Sequence, residues 1–162
     1  ASGDHHGSSS RQPPMTYSHL LVPSDGSPAS SRAIGAASEL AQRFGSRLTV
    51  LHVQPSHLLP LSSLGEPLEP RTLELLLAAS LRESDRILDE GKRLAQEAGV
   101  EVRCERIHGE QPHRAILETA ERLGCDLIVM ASHGRTGLAG LLLGSETQKV
   151  LAHAICPVLV HR

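Results

Sequence analysis

Aromatic residues are almost absent from this 162-residue chain, which has no tryptophan, one tyrosine and one phenylalanine. Its core must therefore consist of aliphatic side chains, which suits helices packed against a parallel β-sheet. The same scarcity argues against single-stranded nucleic acid as a ligand, because such binding relies on aromatic side chains that stack on the bases.

Charge of one sign and long apolar runs are also missing. The 16 basic and 18 acidic residues give a formal net charge of −2, so no basic surface for a nucleic-acid duplex is indicated. No apolar run approaches the ~18 residues of a membrane span, and no signal peptide is recognisable. These features predict a cytoplasmic protein that binds neither nucleic acid nor membrane.

Cysteine is scarce, and histidine is scattered without a pattern. Cys104, Cys125 and Cys156 form no CxxC pair, which favours small buried thiols in a reducing compartment. The ten histidines show no metal-ligand spacing such as HExxH, so no protein metal site is predicted.

The first residues differ in composition from the rest. Residues 1–16 are polar and low in complexity until Met15 precedes the first apolar run. This segment is predicted to be a disordered tail or an expression-vector remnant, with Met15 as the native start. Residues 17–162 are predicted to form one domain.

Short apolar runs alternate with helical patterns along this domain. Strands are predicted over 20–23, 48–53, 100–107, 127–130 and 157–160. Helices are predicted over 28–44, over 71–98, from the turn at 109–112 to Gly124, and from about Ser145 onward. The alternation predicts a single-domain α/β fold: a doubly wound, five-stranded parallel sheet with helices on both faces, Rossmann-like, with strand order 3-2-1-4-5.

Two details of this pattern bear on the arrangement. The strand at 100–107 alternates apolar with charged residues, which predicts an edge position. Leu73, Leu77 and Leu81 share one face of the second helical pattern.

The strands at 20–23 and 127–130 are the most apolar and are predicted to be central neighbours. Strand order then reverses between them, and ligands of such sheets bind outside the carboxyl ends of the strands at that reversal. The loops 23–28 and 131–145 leave these two ends. Topology alone therefore predicts that these loops meet.

The second of these loops, the glycine segment (131–145), is rich in glycine. Gly134 has no side chain where the chain must turn or a ligand must come close. Gly144 and Ser145 stand at a helix start, where free N–H groups favour an anion, and Thr147 adds a second hydroxyl. This combination suits phosphate oxygens, although an ordinary helix cap in a flexible loop is the alternative. Neither Gly-Lys-[Ser/Thr] nor G-x-G-x-x-G occurs.

With these spacings the chain resembles the universal stress protein family over essentially Tyr17 to Arg162. The family motif G-x2-G-x9-G-[ST] falls on Ala131, Gly134, Gly144 and Ser145, with the nine-residue spacing intact. Alanine replaces the first glycine, and its methyl group either crowds a ligand or is harmless. The stretches "LLVPSDGSPAS", "VLHV" and "CPVLV" and the Gly109-x-x-Pro112 turn are also similar to the family.

The resemblance implies an adenine-nucleotide site for ATP, or for ADP or AMP, with Mg²⁺ held by the phosphates. Asp25 would reach the nucleoside; the alternative is a turn-forming Asp25 whose side chain bonds nearby N–H groups. Val53 would form the apolar wall beside adenine. The residues carried over from the family are Pro23, Ser24, Asp25, Val53, Met130, Ala131, His133, Gly134, Arg135, Gly144, Ser145, Glu146 and Thr147. For Arg135, a phosphate contact and a solvated position are both open.

The resemblance further implies a homodimer that pairs the last strand, Pro157 to His161, with its twofold mate; a monomer with a covered edge is the alternative. The implied function is a dimeric, ATP-binding stress-response regulator. The alternative is a nucleotide-free dimeric interaction module of the same fold. An enzyme of the wider adenine-nucleotide α-hydrolase group would need an SGGxDS-type loop, and a response regulator would need an acidic cluster on the first strand; the sequence has neither. No catalytic residue is predicted, and slow ATP hydrolysis is the most that is expected.

Overall fold

The computed structural model describes residues 17–56, 68–135 and 142–162. Strands and helices alternate within these ranges: β1 (His19–Pro23), α1 (Pro28–Phe44), β2 (Arg47–Gln54), α2 (Pro70–Glu97), β3 (Val102–His108), α3 (Pro112–Leu123), β4 (Leu127–Ala131), α4 (Ser145–His153) and β5 (Val158–His161). The predicted tail at 1–16, most of the loop that follows β2 and the glycines at 137 and 140 lie outside the described residues.

The strands form one parallel sheet in the order β3-β2-β1-β4-β5. Leu20 of β1 stands opposite Leu48 of β2 on one side and Leu127 of β4 on the other. The predicted fold class and strand order are confirmed, as are the edge position of β3 and the central pair of β1 and β4.

Side chains of β1 alternate between two apolar layers. Leu20 and Val22 are buried in a cluster with Ala33 and Ile34 of α1. Leu21 points to the opposite face, into a cluster that holds Ile116 of α3 and Val150 of α4. This alternation follows from the two-residue repeat of a strand and confirms helices on both faces. Each fully buried Leu, Ile or Val contributes roughly 1.5–3 kcal/mol, so the two aliphatic layers stabilise the sheet.

The helix that follows β1 begins and ends where its sequence signals predict. The Ser30 N–H donates to the Ser27 hydroxyl over 3.1 Å, and Pro28 occupies the first helical position. At the other end Gly45 adopts φ 67°, and its N–H donates to the Ala41 carbonyl. The loop between β1 and α1 is therefore short, which holds Asp25 close to the sheet.

The helix α2 is longer than the sheet that it covers. Its 28 residues span about 42 Å, whereas the eight residues of β2 span about 26 Å. Burial is confined to the C-terminal half, at Ser84, Ile87, Gly91 and Ala95. The N-terminal half therefore extends past the carboxyl edge of the sheet. In the described ranges, no helix is long and apolar enough to cross a membrane.

Candidate functional site

A cavity of about 540 Å³ lies at the carboxyl ends of β1 and β4. Its size is within the range of small-molecule sites. All thirteen residues that the sequence nominated line it: Pro23, Ser24, Asp25, Val53, Met130, Ala131, His133, Gly134, Arg135, Gly144, Ser145, Glu146 and Thr147. Segments that are more than 100 residues apart in sequence are thus brought together as the topology predicts. Their contact with a ligand stays a prediction.

Further residues line the same cavity and were not nominated: Ser30, Leu51, Pro112, Ile116, Leu142 and Leu143. Leu51 precedes Val53 by two positions on β2, so the strand repeat already places both on one face. Pro112 and Ile116 lie about one turn apart at the start of α3. Their side chains add to the apolar lining of the cavity.

Asp25 joins the loop after β1 to the glycine segment. Its Oδ1 accepts the Ser27 N–H over 3.0 Å, and its Oδ2 accepts the Arg135 N–H over 2.7 Å. Burial raises the pKa of this carboxyl, but hydrogen bonds from Ser27, Arg135 and Ser30 outweigh burial and hold the pKa below its usual value. Asp25 is therefore an ionised acceptor at the floor of the cavity.

Two glycines of the motif are required by close approach rather than by backbone angle. A Cβ on Gly134 would collide with Asp25 Oδ2, and a Cβ on Gly144 would lie 3.2 Å from the Cα of His133. Gly134 lies against the Asp25 side chain, and Gly144 lies against the backbone of Ser132 and His133. The missing side chains let these two glycines approach Asp25 and the end of β4.

The N-terminus of α4 borders the cavity through Ser145, Glu146 and Thr147. Its cap residue, Gly144, has no side chain to accept the first-turn N–H groups, which leaves them for an anion. The Gly144 N–H itself donates to the Ser132 carbonyl over 2.7 Å. The Thr147 hydroxyl donates to the Ala131 carbonyl over 3.0 Å, so this hydroxyl already ties α4 to β4.

Glu146 lines the cavity, but its carboxylate is turned toward α3. Oε2 accepts the His113 N–H over 2.8 Å and lies 3.0 Å from the His113 Nδ1, while Oε1 pairs with the Lys149 ammonium over 2.9 Å. Burial raises the pKa of Glu146, but hydrogen bonds from Lys149 and His113 outweigh burial and hold the pKa below its usual value. The cap residue of α3, Gln111, makes no side-chain cap. Glu146 therefore provides this cap from a neighbouring helix.

Arg135 lines the cavity as well, yet its guanidinium is directed at α2. Nη2 donates to Glu83 Oε1 over 2.5 Å. The neighbouring His133 places Nδ1 3.0 Å from the Ser132 hydroxyl. The Arg135 side chain is half-exposed, which agrees with the solvated position, and its contact with a phosphate stays a prediction.

Metal-binding side chains are not gathered around the cavity in the part of the chain that the structure describes. Over these ranges, no group of three His, Cys, Asp or Glu side chains is placed to hold a metal ion.

Comparison with known proteins gives one family. The profile of the Universal stress protein family matches residues 16–162. The chain is 35% identical over 144 residues to Universal stress protein MJ0531 of Methanocaldococcus jannaschii, which covers 89% of this chain and 81% of that protein. It is 35% identical over 148 residues to Universal stress protein YxiE of Bacillus subtilis, which covers 90% of this chain and 99% of that protein.

Solved structures of similar proteins share the fold. Universal stress protein UspA from Lactobacillus plantarum superposes with a TM-score of 0.76 at 27% identity, over 91% of this chain and 99% of that one. A universal stress protein in complex with cAMP gives 0.66 at 24% identity, over 91% and 98%. One from Archaeoglobus fulgidus in complex with dAMP gives 0.64 at 20% identity, over 91% and 100%. At these last two identities the likeness concerns the fold.

Proposed function

Since the chain belongs to the universal stress protein family, we propose that its cavity binds an adenine nucleotide, foremost ATP. ADP and AMP are the alternative ligands. The protein would then be a dimeric stress-response regulator that responds to the bound nucleotide. The observation that carries the proposal is the convergence of the thirteen nominated residues on one cavity beside the N-terminus of α4.

Each wall of the cavity has a chemistry that suits one part of the nucleotide. Leu51, Val53, Ile116 and Met130 offer an apolar slot for the base. The ionised Asp25 offers lone pairs to nucleoside hydroxyl or amino groups. The first-turn N–H groups of α4 and their partial positive charge suit the phosphates. The methyl group of Ala131, in place of the first motif glycine, lies in the cavity wall.

The solved complexes with cAMP and with dAMP concern two other proteins of the same fold. Both ligands are adenylates, the class proposed for this chain. The choice of ligand here rests on the chain's own residues, and ATP is preferred because the first turn of α4 offers more than one N–H group to an anion.

The proposal assigns Mg²⁺ to the phosphates, because no group of three metal-binding side chains occurs in the described residues. The ion would neutralise phosphate charge. Binding is proposed in preference to turnover, because an efficient general base has a pKa near the working pH and the pKa of Asp25 is held low. Hydrolysis would be slow at most.

We further propose that the regulator is a dimer formed through β5. This strand is at the edge of the sheet, and three apolar side chains around it are exposed: Leu151, Ile155 and Leu159. An apolar edge strand next to such side chains favours pairing with a second copy. Val158 packs against the core of its own subunit and holds the strand in place.

The test is to identify the ligand and to measure its effect on stability. Mass spectrometry of material released by heat from the purified protein should detect an adenylate.

In titration calorimetry, Mg–ATP should bind with one site per chain, and GTP and Mg²⁺ alone serve as controls. At one hundred times the dissociation constant, ATP should raise the free energy of unfolding by about 2.7 kcal/mol. No binding of any adenylate up to millimolar concentration would favour the nucleotide-free interaction module.

A further inference from the structure

Arg135 has one end fixed at the cavity and the other end attached to α2. Its backbone N–H donates to Asp25 Oδ2 over 2.7 Å, next to Gly134 in the glycine segment. Its guanidinium reaches Glu83, where Nη2 of Arg135 donates a hydrogen bond to Oε1 over 2.5 Å. The side chain is half-exposed, so it can pivot about the fixed backbone toward either Glu83 or the cavity.

Glu83 has a second arginine partner, which is the more firmly placed of the two. Arg86, one turn later on α2, donates from Nε and Nη2 to the two carboxylate oxygens, each over 2.9 Å. Hydrogen bonds from Arg86 and then from Arg135 lower the pKa of Glu83 to about 2. Glu83 therefore stays charged near neutral pH, and it keeps a bidentate partner when Arg135 leaves.

The ion pair between Arg135 and Glu83 is weak enough to exchange. Both side chains are 41–50% exposed, and exposed pairs change an equilibrium constant by only about 1.5- to 5-fold. A nucleotide with several phosphates would bring more negative charge to the cavity than one carboxylate carries.

From this arrangement we propose that Glu83 holds the Arg135 guanidinium outside the cavity and yields it to the phosphates of a bound ligand, while Arg86 keeps Glu83 paired. Glu83 is then a positioning residue that sets how strongly the site prefers phosphorylated over unphosphorylated ligands. The inference rests on the proposed nucleotide site and assigns to it a specificity device located on α2.

Charge removal at Glu83 should act on phosphorylated ligands alone. In Glu83→Gln the hold on Arg135 weakens, so the affinity for Mg–ATP should rise by about 2- to 5-fold, while that for adenosine stays the same. In Arg86→Gln the competing cation is lost and Glu83 holds Arg135 more firmly, so the affinity for Mg–ATP should fall. Two variants of neighbouring, exposed residues thus shift the ATP-to-adenosine affinity ratio in opposite directions.

Variants at Arg135 and at Glu90 separate the exchange of the Arg135 guanidinium from a general electrostatic effect of the Glu83 charge. If Glu83 acts through Arg135, Glu83→Gln should have no effect on ATP affinity in an Arg135→Gln background. If Glu83 acts only by its negative charge, the gain persists in that background. Glu90→Gln is the matched control, since Glu90 is paired with Arg93 further along α2. All titrations should be run at 0.15 M salt, where charges beyond about 8 Å are screened.

The outcomes are distinguishable. An unchanged ATP-to-adenosine ratio in Glu83→Gln, or a gain that survives in the Arg135→Gln background, overturns this inference and leaves nucleotide binding intact. Absence of ATP and adenosine binding by every one of these proteins overturns the proposed function and, with it, this inference. A raised ratio that disappears with Arg135 supports the exchange.

Discussion

Gly134 and Asp25 touch at the floor of the cavity, and this contact makes a single methyl group informative. In Gly134→Ala the new Cβ would collide with Asp25 Oδ2. We expect this oxygen to move away and to lose its hydrogen bond from the Arg135 N–H. We expect at least a tenfold loss of ATP affinity in calorimetry. The free energy of unfolding should fall by about 1.5–3 kcal/mol, because a hydrogen bond to a charged group is lost.

Gly35→Ala is the matched control for this substitution. Gly35 lies in α1, and a Cβ there meets no atom within 4 Å. ATP affinity should be unchanged in this variant, and stability should be equal or slightly higher because alanine favours a helix. Wild-type affinity in Gly134→Ala would mean that the position of Asp25 does not matter for the ligand.

Sequence spacing predicted residues that line one cavity, but it did not predict the hydrogen-bond partners of their side chains. The segments that carry Asp25 and Gly134 could be predicted to meet, because both follow central parallel strands. The turn of Glu146 toward His113 and of Arg135 toward Glu83 could not be predicted. These partners lie on α3 and α2, and the choice of partner depends on how the helices pack, which a local pattern does not encode.

Between elements, Glu146 links α4 to the start of α3. Because Gln111 makes no side-chain cap, the Glu146 carboxylate is the acceptor for the His113 N–H. Glu146→Ala should therefore lower the free energy of unfolding in urea by about 1 kcal/mol, the usual cost of a lost helix cap. Glu118→Ala, on the exposed side of α3, should change stability by much less. Equal stability of the two variants would contradict the capping role.

Element positions were predictable to within a few residues, and the differences have physical causes. The third strand begins at Val102 rather than at residue 100, because the Val100 N–H is bonded to the Ala95 carbonyl and completes the end of α2. Leu77 and Leu81 share a helical face as predicted, but that face is exposed. A repeat of leucines every four residues predicts the face of a helix, but it does not predict the length of the sheet beneath that helix.

At the scale of the whole molecule, hydrophobicity predicted the central pair and one edge of the sheet, because burial increases toward the middle of a doubly wound sheet. The most apolar strands, β1 and β4, are the central neighbours, and the alternating β3 is an edge. The opposite edge, β5, is apolar without being central. That mismatch between composition and position is the reason to expect a second copy there.

The proposed dimer should be disrupted best at Ile155, whose side chain is 82% exposed beside β5. Ile155→Glu leaves the subunit's own packing intact, whereas a charge at Val158 would also disturb the core against which Val158 packs. An unpaired charge buried in the interface costs about 3 kcal/mol or more, which raises a dissociation constant by a factor of about 150.

Sedimentation velocity at micromolar concentration should then show dimers for the wild type and monomers for Ile155→Glu. The control is Leu75→Glu, an exposed leucine on α2 at the other side of the sheet, which should stay dimeric. Both variants should unfold at similar urea concentrations when they are compared under conditions that give the same fraction of monomer. A dimer that survives Ile155→Glu and dissociates in Leu75→Glu would move the interface to the exposed N-terminal half of α2.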